Sequence, residues 1–357
     1  MGHNARNPFH SLCVSTCFPY FLSRVSDLNK IVFLPAFISV PNILIPCCEL
    51  KMQLRPLAVA VTTLATLTSS QSTSGGTCLT QTVPNPIYQE FPNNVTGVIN
   101  TTIALIPIPY SRARAIIPSN YSILTDAYRS LLPFFPEELY PAIFEFEFDH
   151  DIRFANFSIP DFSHSSIYYP FIDLLGDHST SFAWKPDTFL TADAEIAIAG
   201  TQEYGETVYP ASFNPSCDAY ASTSCGTSAN GTANATSYVI TTWTSPQKGF
   251  HAQIPIAFFR NVTNQPSFGN GSLCDDQIRL FGPSSSSEWG YRPVQGTVRI
   301  ETPLLGKDMM FTDVMGIQVA TPFIENNYLV CDTLSGYRGL VVEGWMTGTG
   351  NSGCDGE

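Results

Sequence analysis

The stretch Ile143-Phe-Glu-Phe-Glu-Phe-Asp149 alternates after its first residue between aromatic and acidic side chains. A period of two marks a β-strand, so Phe144, Phe146 and Phe148 share one face and Glu145, Glu147 and Asp149 the other. The acidic face allows two readings. It is either the wet side of a surface strand, or a row of carboxylates lining an interior, able to do acid/base work or hold a cation. Outward from this stretch, short apolar runs at 103–108, 152–157, 167–172, 195–199, 238–243, 253–259, 296–300 and 339–344 read as further strands, most of them bounded by Gly, Pro, Asn or Ser. Only two helical segments are expected. In 121–132 a stripe of Ile123, Leu124, Ala127, Tyr128, Leu131 and Leu132 ends before Pro133, and 111–116 makes a shorter turn. The Ser/Thr/Ala/Asn/Gly-rich stretch 222–237 and the serine run 283–287 read as surface insertions.

Composition excludes several classes. Of 357 residues 44% are hydrophobic and 13% charged, which is neither a disordered nor a coiled-coil composition. The formal charge of −13 removes any general attraction to phosphate backbones, so nucleic acid is not an expected partner. No apolar run reaches the roughly 18 residues of a membrane span. Residues 52–70 have a different character. Met52-Gln-Leu-Arg55 leads into an apolar stretch to Leu67 and then Thr68-Ser69-Ser70, the three parts of a secretory signal peptide. The expected organisation is therefore a disordered gene-model extension over 1–51, a signal peptide over 52–70, and a single β-rich domain over 71–357.

Downstream of residue 70 lie Cys78, Cys217, Cys225, Cys274, Cys331 and Cys354. An even number without Cys-x-x-Cys spacing suits disulfides in an oxidising compartment rather than a thiolate metal site. Cys217 and Cys225 are the closest pair and are expected to join. Sequons at Asn94, Asn100, Asn120, Asn156, Asn230, Asn234, Asn261 and Asn270 exceed chance frequency and point to an extracellular glycoprotein with N-linked glycans.

Two segments, Ile103-Ala-Leu-Ile-Pro-Ile-Pro-Tyr-Ser-Arg-Ala-Arg-Ala-Ile-Ile-Pro118 and Glu195-Ile-Ala-Ile-Ala-Gly-Thr-Gln-Glu-Tyr-Gly-Glu-Thr-Val-Tyr-Pro210, together resemble the acetoacetate decarboxylase family. The resemblance implies a mostly β (α+β) fold, a β-barrel like that family's with one or two short helices; here a disulfide-bonded C-terminal part is expected to extend it. It also implies lyase chemistry through a lysine of lowered pKa that forms a Schiff base with a ketone. The family's lysine falls on Thr207 or Val208, its preceding basic residue on Gln202, its arginine near Pro107 and a carboxylate near Pro170. None of these can serve. Glu203, with Glu145 or Glu147, remains as an acidic equivalent, and Lys185 in Ala-Trp-Lys-Pro is a relocated amine or a surface lysine.

His150, His164 and His178 lie within 29 residues, and a metal site requires two or three of them to converge. The expectation is that they are scattered and that no metal or other cofactor is bound. No P-loop, dinucleotide turn or Gly-x-Ser-x-Gly elbow is present. Tyr168, Tyr169, Phe171, Phe182 and Trp184 either fill a core or line an apolar pocket. Three functions follow: enclosure of a small carbonyl or apolar metabolite without Schiff-base chemistry, a lyase using Lys185, or a non-catalytic extracellular structural glycoprotein. A ligand-sized cavity with an inward carboxylate separates the first two from the third.

Overall fold

The computed structural model describes residues 84–234, 237–246, 254–282, 290–302 and 305–337, all within the unit Thr73–Glu357. Strands dominate. In chain order they are β1 (Val95–Pro109), β2 (Ser122–Ile123), β3 (Leu139–Phe154), β4 (Phe157–Ile159), β5 (Phe162–Asp173), β6 (Phe182–Trp184), β7 (Asp187–Thr191) and β8 (Thr207–Asn214). There follow β9 (Ala221–Thr223), β10 (Gly226–Ala233), β11 (Ser237–Thr244), β12 (Ser267–Phe268), β13 (Leu273–Arg279), β14 (Arg292–Thr302) and β15 (Gly306–Val330). The helices are α1 (Tyr110–Ile116), α2 (Thr125–Leu131), α3 (Glu195–Glu203) and α4 (Ile256–Thr263), with a 3-10 turn at Cys331–Leu334.

The strands form one 15-stranded mixed sheet, not a barrel. Its hydrogen-bonded path runs from β13 at one end to β4 at the other, with β2 and β9 attached at the side and further β13–β15 and β5–β3 pairings. Most neighbours are antiparallel; β6–β12 and β7–β8 are parallel. The expected barrel with one or two short helices is thereby corrected, since four α-helices stand among the described residues.

Two of the four occupy segments that the alternation of apolar residues assigned to strands. In α3, Ile196 and Ile198 alternate as strand residues do, but the surrounding Glu, Ala and Gln favour helix and none of its nine residues is buried, so no sheet face demanded them. In α4, the apolar run is too short for periodicity to separate strand from helix. Phe258, Phe259 and Val262 are buried by helical packing. The expected surface insertion at 222–237 is instead most of a hairpin, with β10 paired to β11 from Thr227↔Trp243 to Ala233↔Ser237. The runs at 283–287 and 339–344, the extension over 1–51 and the segment 52–70 lie outside the described residues.

β3 organises the interior. It pairs with β1 on one side (Thr101↔Glu147, Ile103↔Glu145) and with β5 on the other (Glu147↔His164, Glu145↔Ser166). On its aromatic face Phe144 stacks on Trp243 at 6.4 Å and Phe146 meets Phe213 edge-on at 5.5 Å, so this side looks onto β8 and β11. Burial of each such ring contributes about 2–3 kcal/mol. The acidic face is equally enclosed: Glu145, Glu147 and Asp149 are 2%, 0% and 2% exposed. The wet-strand reading is therefore wrong. Tyr168, Tyr169, Phe171, Phe182 and Trp184 join the main hydrophobic core.

Cys274 of β13 is bonded to Cys331 just after β15. Cys217 is also disulfide-bonded, but Cys225 is a free, exposed thiol, so the expected Cys217–Cys225 pair does not form. Among the sequons, Asn120, Asn156, Asn234 and Asn270 are exposed, whereas Asn100 lies inside β1 and is 1% exposed. No helix among the described residues is long and apolar enough to cross a membrane.

Candidate functional site

Cations and carboxylates meet beneath the acidic face of β3. Lys185 follows β6, where its backbone N–H donates to the Phe268 carbonyl of β12 (2.8 Å) and Pro186 holds it extended. That anchoring sends the ammonium inward, and Nζ donates to Glu145 Oε1 at 2.5 Å. Ser166 of β5 donates to the same oxygen at 2.8 Å. Arg279 closes β13, its backbone N–H held by Asn264 Oδ1 at 2.8 Å. Its guanidinium grips Glu147 with both terminal nitrogens, Nη2 donating to Oε2 at 2.7 Å and Nη1 to Oε1. A planar fork on a carboxylate is among the strongest charge-assisted contacts. Thr101 of β1 adds a hydroxyl donor to Glu147 Oε1 at 2.7 Å.

His164 faces Glu147 across the β3–β5 ladder. Its Nε2 lies 3.1 Å from Glu147 Oε2 and 2.9 Å from Asp149 Oδ2. Burial by itself disfavours the imidazolium, but Asp149 and Glu147 outweigh it and raise the histidine to about 10. Burial likewise opposes ionised Glu147, and Arg279 with His164 reverse this and hold the carboxyl well below its usual range. For Lys185, burial opposes the charge while Glu145, Glu206 and Glu147 over-compensate, so its pKa stands above the ordinary lysine value. The amine is an ammonium at neutral pH.

A cavity of about 170 Å³ opens beside this network. Glu145, Asp149, His164, Lys185 and Arg279 line it, together with Glu206, Asp275 and Glu325. Its apolar wall comes from Val95, Ile152, Phe162, Tyr168, Leu190, Val262 and Phe323, and Ile196, Ala197, Gly200 and Thr201 of α3 also border it. The volume falls short of the roughly 300–1,000 Å³ of drug-sized pockets and suits a molecule of a few heavy atoms. Burial, then the charge of Asp149, raises Glu325 to about 7, a value suited to proton transfer near neutrality. Burial, then Glu325, pushes Asp275 well above the usual carboxylate range, and burial also raises Glu206.

Glu145, Glu147 and Lys185 are thus brought together, with Glu147 behind the cavity wall. Glu203 is not: it ends α3 exposed, outside the lining, and Glu206 three residues later is the buried carboxylate. The three histidines do not converge. His150 stacks on Phe148 at 5.8 Å, and the side chain of His178 is 83% exposed with Nδ1 3.0 Å from Asp173. Donor atoms of Glu145, Glu147 and His164 lie within 4.8 Å of one another, close enough for one metal ion. The same carboxylates are already neutralised by Lys185 and Arg279, and a divalent ion would crowd three existing positive charges, so the donor set does not fit a metal.

Sequence reading missed Arg279, His164 as a site residue, Asp149's pairing, Glu206, Asp275 and Glu325. Arg279 and Glu325 carry no local motif. Asp149 was visible as the next member of the acidic alternation.

No family model and no curated protein matches the chain. Among solved structures it is distantly similar to the enduracididine biosynthesis enzyme MppR complexed with pyruvate, at 8% identity and a TM-score of 0.43, covering 67% of this chain and 91% of that one. The same enzyme with the condensation product of pyruvate and imidazole 4-carboxaldehyde gives 8% and 0.42, with coverages of 67% and 90%. An acetoacetate decarboxylase-like enzyme from Sphingomonas wittichii RW1 gives 8% and 0.37, with coverages of 67% and 92%. At that distance no residue role is transferable.

Proposed function

We propose that the protein encloses a small carbonyl compound non-covalently in this cavity. The observation that carries the reading is the Lys185 ammonium, 2.5 Å from Glu145 Oε1 in the wall of a 170 Å³ cavity that also has an apolar side. An ammonium is a donor for a carbonyl oxygen, and Arg279 in the same wall is a second. The alkyl part of the ligand lies against Tyr168, Leu190 and Val262. Schiff-base formation needs the neutral amine, and the carboxylates around Lys185 hold its proton in place. Proton exchange with a polarised ligand falls to Glu325, whose carboxyl titrates at about 7.

Titration of the full chain with 2-butanone by calorimetry tests this, with sodium borohydride added in parallel and the intact mass measured. Saturable binding that Lys185→Met weakens at least tenfold, with no mass gain, is the expected result. Absence of binding overturns enclosure of a carbonyl, and a reduced adduct on Lys185 replaces the non-covalent reading with the relocated-lysine lyase. Entry into the secretory pathway by cleavage after Ser70, followed by glycosylation, forms part of the same proposal. It is supported by the Cys274–Cys331 bond, typical of oxidising compartments, and by four exposed sequons.

A further inference from the structure

We infer that the ligand of this cavity carries a cationic nitrogen as well as its carbonyl oxygen, and that Glu206, Asp275 and Glu325 receive the nitrogen. This nitrogen subsite rests on the carbonyl reading above and adds a second recognition element to it. Lys185, Arg279 and His164 share their ion pairs among Glu145, Glu147 and Asp149, three cations with three carboxylates. Glu206, Asp275 and Glu325 line the same cavity and none of them has an ion-pair partner among the described residues. They lie outside the ion pairs of that network, although the Lys185 charge reaches Glu206 and Asp275.

Their hydrogen bonding is equally incomplete. Glu206 is 7% exposed, and its only hydrogen-bond partner among the described residues is the Thr188 hydroxyl, which donates to Oε2 at 2.6 Å. Its other oxygen accepts nothing from them. Asp275 Oδ1 is buried and also lacks a hydrogen-bond donor among the described residues. Glu325 Oε1 takes a long bond from Tyr204, at 3.4 Å. Buried carboxyl oxygens without donors are costly. A primary ammonium brings three N–H donors and a charge of the required sign, and a guanidinium brings five.

Aminoacetone and 2-butanone have nearly the same shape and differ in the charged nitrogen, so they isolate this element. Calorimetric titration of the full chain at pH 7 is expected to show aminoacetone binding at least tenfold more tightly. In Glu206→Gln and Asp275→Asn, whose folding is checked by circular dichroism, that advantage shrinks to less than threefold, and an advantage kept in full by both variants overturns the assignment of the nitrogen to these carboxyls. Equal affinity for the two probes in the wild-type chain overturns the nitrogen subsite and leaves the carbonyl reading intact. Propylammonium separates the two elements in the other direction. If it binds as tightly as aminoacetone while 2-butanone does not bind, the nitrogen subsite stands and the carbonyl reading falls.

Discussion

A carboxylate in this interior behaves according to which cation reaches it. Glu147 keeps its charge because Arg279, His164 and Thr101 all converge on it. Removing one partner of such a buried pair costs about 3–5 kcal/mol, because the other charge is stranded. Glu325 forms no ion pair among the described residues and is raised to about 7 by burial and by Asp149. The consequence for stability has a definite sign. Between roughly pH 4.5 and 7 the native chain holds a proton on Glu325 that the unfolded chain has released. The native state therefore loses stability as pH rises through that window, and above it the penalty is complete. Glu325→Gln abolishes this term. Urea denaturation should find the variant of similar stability to wild type at pH 4.5 but more stable at pH 8, by about 3 kcal/mol. The same stability increment at both pH values would show that the carboxyl is not raised.

Among the elements, β3 is the one whose character is legible from adjacent residues alone. Strict alternation identifies it as a strand and assigns Glu145, Glu147 and Asp149 to one face, as its pairings with β1 and β5 show. What alternation cannot say is whether that face is wet, because a solvated strand and one buried on both sides read alike when the second face is polar. α3 and α4 escape the strand reading for a related reason: a short apolar stretch has no periodicity of its own, and only its packing decides. The link between β13 and the turn after β15 is covalent. Cys274 and Cys331 are 57 residues apart, and closing a loop of that length restricts the unfolded chain by about 4 kcal/mol. The double variant Cys274→Ser, Cys331→Ser should lose about 3–4 kcal/mol in urea denaturation under oxidising conditions. Because Arg279 ends the same strand, the loss should come with weaker 2-butanone binding. A change below about 1 kcal/mol would mean that the strand pairing alone holds this corner.

For the whole molecule, the acidic balance, the sequons and the segment 52–70 bear on destination rather than fold. If the chain enters the secretory pathway, protein recovered from the medium of a eukaryotic host should begin at Gln71. Glycopeptide mapping should find sugar at exposed Asn120, Asn156, Asn234 and Asn270 and none at Asn100, which is 1% exposed within β1. Recovery of the chain only from the cytosol, starting upstream of residue 52 and without sugar, would overturn that proposal. By itself the sequence determined that this is a strand-rich, acidic chain with a carboxylate row on β3, because local periodicity and composition are written in neighbouring residues. Only the tertiary structure decided that the strands form one mixed sheet and that the row faces a cavity. It alone brought Lys185 and Arg279 onto Glu145 and Glu147 from 40 and 132 residues away. Contacts at such separations depend on how strands pair and cross, and no run of adjacent residues records that.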